Sequence, residues 1–424
     1  MRFIHLADLH LGKMLHGMSL IEKCSQNDHQ KSDQADWVDK FLSLAAEIQP
    51  DAVVIAGDVY DRGLPPGRAA QLLSAMVTGL AEMDIPVMIT AGNHDSIYHL
   101  SFLSPLLAAR KVFISKPIDQ SAELTHTTLE DEYGPVTFWL LPYVYPAMIA
   151  QALGDEEIRD YDTAVRRILA AQPVDFTQRN VLIAHQNVTA NGQEAIRGGS
   201  ESMVGGVGQV DYTAFDGFDY VALGHIHSSY SVGRETVRYA GSPLAYHFNE
   251  TKQPQKGPLL VTLSEKNVTP VIQRKDIQPL HRLREIRGEY EAVRQEAAEH
   301  PWTNEYLKII LTDTRVSPAI SDFLSETAKA HGSILMELTS EFSMFTGDAA
   351  FSESKEIREK PVEALFASFY TERNNGIEPN DRDLELMKYV GEMTRNAEDM
   401  QTEPGEKEFQ RILDYVLEQE ADEK

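Results

Sequence analysis

Five stretches of the chain end an apolar run in residues that can hold a metal ion. Asp8 and His10 close the run Arg2–Ala7, and Gly57-Asp58 closes Ala52–Ala56. Gly92-Asn93-His94-Asp95 follows Pro86–Ala91, His185 follows Val181–Ala184, and Gly224-His225-Ile226-His227 follows Tyr220–Leu223. Short apolar runs of this kind read as strands buried on both faces. The carboxyl edge of such a sheet is where open α/β proteins build their sites. On extended chain the two side chains of Asp8-x-His10, or of His225-x-His227, point to the same side. Each motif also has an ordinary reading: a core or surface histidine, a Gly-Asp turn, an Asn-His-Asp helix cap. That five separate strands all end this way by accident is the reading we set aside.

Carboxylate, imidazole and amide donors without thiolate favour Mn²⁺, Fe²⁺ or Zn²⁺ in a working site over a structural zinc. The only cysteine, Cys24, excludes both a thiolate zinc site and an internal disulfide. Seven candidate ligands (Asp8, His10, Asp58, Asn93, His185, His225 and His227) suit a pair of divalent ions about 3.5–4 Å apart, which clamp an in-line phosphoryl displacement. His94 fits the proton or positive neighbour that the leaving oxygen needs. Asp95 beside it is expected to hold the imidazole tautomer.

The elements that must position these residues follow from hydrophobic spacing. Val136–Leu141 and Leu259–Leu263 add two further buried strands. Trp37–Ile48 carries Val38, Phe41, Leu42, Ala45 and Ile48 on one helical face, and Arg68–Met83 carries Leu72, Leu73, Met76 and Leu80. The expected fold is α/β: a layered β-sandwich flanked by helices over residues 1–278, a small β-α-β domain over 279–345, and a helical tail over 346–424. The small domain is read as strand Tyr306–Thr312, helix Pro318–His331 and strand Ser333–Thr339. The tail is read as helices Pro361–Arg373, Asp381–Met393 and Glu406–Glu420. Residues 351–424 carry 20 Asp and Glu against 10 Lys and Arg. The last of the three helices places Phe409, Ile412, Leu413, Val416 and Leu417 on one stripe, suited to docking a partner or to packing back onto the body.

With 424 residues the chain is long enough for two or three domains, and its 42% hydrophobic content argues against disorder. It has no run of about 18 apolar residues and no charged-then-apolar leader, so the cytoplasm is the expected compartment. The formal charge of −26 opposes binding nucleic acid by phosphate neutralisation alone. Bound metal ions, which that count omits, relieve part of the conflict.

Together the five motifs resemble the calcineurin-like metallophosphoesterases. The longer stretches Ala7–Lys13, Gly57–Arg62, Phe218–His227 and Tyr239–Leu244 look like the SbcD nuclease subunits of bacteria. The resemblance is strong over roughly residues 1–265 and is one of layout beyond. It implies that Asp8, His10 and His227 hold one ion, that Asn93, His185 and His225 hold the other, and that Asp58 bridges them. His94 would stabilise or protonate the leaving group. It further implies Mn²⁺ as the ion, and a DNA nuclease acting 3′ to 5′ on duplex ends and endonucleolytically on single strands or hairpins. The partners would be an SbcC-type, SMC-like ATPase bound by the tail and a second copy of the chain paired through the helices Trp37–Ile48 and Arg68–Met83. Those two helix faces could equally be covers for the sheet. Leu9 departs from the tryptophan that many members carry between the ligands. His16 is either an approach to the metal site or DNA, or a loop histidine like His29 and His99. The alternative to a nuclease is a phosphoesterase of the same fold acting on a small molecule or a phosphoprotein.

Overall fold

A computed structural model describes residues 1–22, 32–190, 208–252 and 256–341, with a few residues beyond. The chain forms two compact units, Met1–Phe342 and Ser343–Lys424. In the first, the main strands are β1 (Arg2–Leu6), β2 (Ala52–Ala56), β3 (Val87–Thr90), β4 (Val112–Ile114), β5 (Thr125–Asp131), β6 (Gly134–Leu141) and β7 (Arg179–His185). They continue with β8 (Tyr220–Gly224), β9 (Ser231–Val232), β10 (Arg234–Tyr239), β11 (Leu259–Thr262) and β12 (Val271–Arg274). A third group is β13 (Arg282–Gly288), β14 (Glu305–Leu311) and β15 (Ile334–Ser340). The helices used below are α1 (Asp33–Ile48), α2 (Gly67–Glu82), α3 (Tyr161–Ala170), α4 (Tyr290–Glu299) and α5 (Pro318–Lys329).

Two six-stranded sheets have the orders β12-β11-β1-β2-β3-β4 and β9-β10-β8-β7-β6-β5. Their inner strands run parallel, and their outer ones, β11, β12, β9 and β5, are antiparallel to a neighbour. Successive side chains of a strand point to opposite faces, and since both faces of the inner strands are covered, these strands are largely apolar. Along β2, Val53 and Ile55 face the layer of α1 and α2, while Ala52, Val54 and Ala56 join Phe3, Phe138, Ile183 and Tyr220 between the sheets. The other sheet is covered outside by Val165 and Ile168 of α3. The result is a helix–sheet–sheet–helix sandwich.

Helix α1 begins four residues earlier than its apolar spacing suggests, because the Ser32 hydroxyl caps it by accepting the Ala35 N–H at 3.3 Å. Asp33, in the first turn, is buried. It accepts from the His281 ring nitrogen at 2.9 Å and from the Tyr306 hydroxyl at 2.6 Å, which fastens the third sheet to the start of α1. The buried faces of α1 (Trp37, Val38, Phe41, Ala45) and α2 (Ala69, Leu73, Met76, Leu80) pack on the first sheet. These faces cover the sheet.

The third sheet is fully parallel, β13-β14-β15, with α4 and α5 as crossovers around Val293, Trp302, Leu307, Ile309 and Leu324. It is one strand and one helix larger than the β-α-β unit expected, since β13 and α4 carry no clear apolar stripe. In the tail, Phe366, Ala367, Tyr370, Thr371, Asp383, Leu384 and Met387 are helical. The rest of the three tail helices, including the whole of Glu406–Glu420, lies outside the described residues, as do Cys24 and His29.

Candidate metal centre

All five motifs meet at the carboxyl edge of the two sheets. The loops after β1 and β2 are joined by backbone bonds: Asp8 donates to Gly57, His10 to Asp58 and Leu11 to Val59, each at 2.9–3.0 Å. Asp8, His10, Asp58 and His225 all sit at positive φ (54°, 41°, 47° and 102°). Residues with side chains seldom adopt that conformation unless their surroundings impose it, and such strain collects at working sites. Gly92 is required where it stands, since a Cβ there would lie 2.1 Å from Asp58 Oδ1.

Asp8, His10, Asp58, His185 and His227 are almost wholly buried. His10 Nε2 and His227 Nε2 lie 3.1 Å apart, about the separation of two ligands at right angles around an ion bonded at about 2.1 Å. Asp8 gives Oδ1 to the His225 backbone N–H at 2.9 Å, while its Oδ2 is buried without a hydrogen-bond partner. A cation would satisfy that oxygen, whose burial otherwise carries a cost. Across the site, Asn93 Oδ1 lies 3.1 Å from both His185 Nε2 and His225 Nδ1. Between the two groups sits Asp58 Oδ2, 3.3 Å from His185 Nε2 and 3.6 Å from His10 Nε2. The donor set fits a pair of divalent ions.

The electrostatics agree. Burial pushes Asp8 up to about 6 against the pull of His185 and His227, and pushes His10 down to about 4, a neutral imidazole ready to act as a ligand. Burial would also raise Asp58, yet His185, His10 and His94 around it hold its carboxyl well below the usual range. Burial opposes a charged His185, but Asp58 and Asp8 overcome it and lift the ring to about 9. Without an ion, the proton on His185 offsets the charge of the two buried carboxylates, and an ion binding there would have to displace it.

The outer nitrogen of each buried ligand histidine faces a polar group. His185 Nδ1 donates to the Ala56 carbonyl at 2.8 Å. His10 Nδ1 lies 3.4 Å from Asp61, itself paired with Lys13 at 2.8 Å, and Gln34 donates to the His10 carbonyl at 2.8 Å. His227 Nδ1 lies 3.4 Å from Glu250 Oε1, and Glu250 Oε2 meets Lys256 Nζ at 2.6 Å. Lys256 in turn donates to the His227 carbonyl and to Ser242 Oγ, each at 2.7 Å. Asp61, Gln34 and Glu250 carry no signal of this role in the sequence. Glu250→Gln should weaken Mn²⁺ binding by about 10- to 100-fold, since carboxylates behind metal histidines set ring orientation and basicity. Isothermal titration of the variant with Mn²⁺ checks this, and wild-type affinity would contradict it.

His94 stands with its ring edge-on to His10 at 5.0 Å between centroids and its backbone N–H on Asp58 Oδ1 at 2.9 Å. Its tautomer is held by the Asp61 carbonyl, which accepts from Nδ1 at 2.9 Å. Asp95 does not do this, as its place in the sequence suggested. Its carboxylate accepts backbone N–H groups of Val59, Tyr60 and Gly92 at 2.9–3.1 Å, tying two motif loops together. His16 lies away from the metal cluster, against Phe248 and 3.9 Å from Glu337 of β15. His99 donates to the Gly63 carbonyl at 3.1 Å.

Residues 1–229 match the calcineurin-like phosphoesterase family, and residues 278–374 match the type 5 capsule protein repressor C-terminal domain. The chain is 32% identical over 380 residues to the SbcD subunit of the SbcCD nuclease of Staphylococcus saprophyticus, covering 87% of this chain and 92% of that one. The chain belongs to the SbcD family of calcineurin-like phosphoesterases. Among solved structures, TT1561 of Thermus thermophilus superposes with a TM-score of 0.27 at 11% identity, over 46% of this chain and 71% of that one. As an SbcD-family member the chain is a metal-dependent phosphodiesterase of the nuclease-subunit type.

Proposed function

We propose that this chain is the nuclease subunit of a two-component DNA-processing complex, working in DNA end processing, recombination and repair in the cytoplasm. The observation that carries the reading is Asp58 set between two groups of donors, Asp8, His10 and His227 on one side and Asn93, His185 and His225 on the other. In the reading these seven residues hold two divalent ions, with Mn²⁺ as the ion used. When bound, such a pair supplies an activated water and neutralises charge on the phosphate being displaced. The chain's own residues do the remainder. The Asp61 carbonyl keeps the proton on His94 Nδ1, so as imidazolium His94 would give its Nε2 proton to the leaving oxygen and be left as the neutral Nδ1–H ring. The β13–β15 region (within 279–345) lies beside the sandwich as a cap over DNA, and the tail (346–424) binds the SbcC-type ATPase. Substrates are duplex ends, cut 3′ to 5′, and single strands or hairpins, cut internally.

A homodimer belongs to the same reading, through a surface other than the buried helix faces. Tyr98, Phe102, Leu103 and Leu106 are exposed by half or more, and the bond from His99 to Gly63 brings exposed Leu64 alongside. Exposed large apolar side chains gathered within a few residues of one another suit an interface. Sedimentation at micromolar concentration should give a dimer; a monomer counts against it. For the activity, the purified chain with Mn²⁺ should cut an end-labelled hairpin or linear duplex, and EDTA should abolish cutting. No cutting of DNA even with the ATPase partner and ATP, while a small chromogenic phosphodiester is hydrolysed, would overturn the reading.

A further inference from the structure

Beside the second donor group stands a wall of three tyrosines, Tyr143, Tyr145 and Tyr161, with rings inclined to one another by 57–76°, Tyr161 also packing against the core of the second sheet. Strand β6 runs into Pro142-Tyr143-Val144-Tyr145-Pro146. There Val144 is fully buried, Tyr143 is half-buried and Tyr145 is exposed. The Tyr143 ring lies 6.1 Å from that of His225 and 6.3 Å from that of His185, and 5.1 Å from Tyr145. Tyr161, the first residue of α3, completes the group at 6.2 Å from Tyr143 and 6.5 Å from Tyr145. Tyr145 is 53% exposed.

The wall is rigid. Pro142 accepts from the Gln186 side chain at 3.0 Å, the Tyr143 N–H is bound to the Ala91 carbonyl at 2.9 Å, and Pro146 opens a helix at once. At the other end, Asp160 caps α3 by accepting the Thr163 N–H at 2.7 Å. Aromatic rings held in place beside a reaction centre lose little entropy when a flat ligand lies on them. A net charge of −26 leaves little binding energy to phosphate neutralisation, and stacking supplies binding that does not depend on the charge balance.

We propose that the exposed ring of Tyr145, braced by the inclined rings of Tyr143 and Tyr161, is a stacking platform for the nucleobase next to the scissile phosphate. This rests on the nuclease reading and narrows it. A base inside an intact duplex has both faces covered by its neighbours. The platform therefore takes a nucleotide whose base is unstacked, at a frayed end, in a single strand or in a hairpin loop.

The test compares a single-stranded oligonucleotide with the same strand lacking the base beside the cut, on the wild type, Tyr145→Ala and Tyr145→Trp, with Mn²⁺ titrated into each protein. Tyr145→Ala should raise KM for the base-bearing strand between about fivefold and a hundredfold, leave Mn²⁺ affinity unchanged, and add no further loss on the abasic strand. Tyr145→Trp should restore KM. Equal cutting of both strands by the wild type, or an equal loss in Tyr145→Ala on both, overturns the platform while the nuclease reading stands. A wild type that cuts neither strand overturns both.

Discussion

Asp58→Asn should lower metal-dependent cleavage by about a thousandfold or more, while the protein stays folded. Asp58 Oδ2 lies between His185 Nε2 and His10 Nε2, at 3.3 and 3.6 Å. Asparagine keeps an Oδ1 to accept the His94 N–H, so the loop after β3 stays in place and the change is confined to one negative charge. Losing one bridging charge should weaken at least one ion, and paired ions contribute several kcal/mol to phosphoryl displacement, about tenfold in rate for each 1.4 kcal/mol. Calorimetry should show weaker Mn²⁺ binding in step with the lost activity. Wild-type affinity together with lost activity would assign Asp58 a role other than ligand.

His94→Gln should divide the site differently. The imidazole lies beside the cluster, its Nδ1 bound to the Asp61 carbonyl. Removing it should cut kcat by about a hundredfold to ten-thousandfold, the range of a positioned proton donor, with Mn²⁺ affinity unchanged. A substrate whose leaving group needs no proton, such as a nitrophenyl ester, should recover most of the loss. If the loss is the same on both substrates, or if Mn²⁺ affinity falls with kcat, His94 is a ligand or a structural residue and the proton role fails.

The sandwich was legible because its inner strands are buried on both faces and so carry apolar runs, as along Ala52–Ala56 and from Val181 to Ala184 within Arg179–His185. The residue that ends each of them is the first free to be polar, which is why the ligands stood out. The outer strands were less visible. Thr125–Asp131 alternates half-buried with exposed positions, and Arg282–Gly288 is rich in charge, so neither yields an apolar run. The supporting residues were hidden for a different reason. Glu250 and Asp61 are single acidic residues in loops, and Asp33 finds His281 across 248 positions of sequence. Asp95 carries the opposite lesson: adjacency to His94 in the chain said nothing of where its carboxylate goes, because three backbone N–H groups claim it.

The seven donors are divided between the sheets. Asp8, His10, Asp58 and Asn93 leave β1, β2 and β3, whereas His185, His225 and His227 leave β7 and β8. Each proposed ion therefore takes donors from both halves of the sandwich and acts as a clasp across its open edge. Catalytic loading and mechanical integrity then share one equilibrium: occupancy at a hundred times the dissociation constant stabilises the folded state by about 2.7 kcal/mol per site. Scarcity of the ion would both silence the enzyme and loosen the seam along which its two sheets meet.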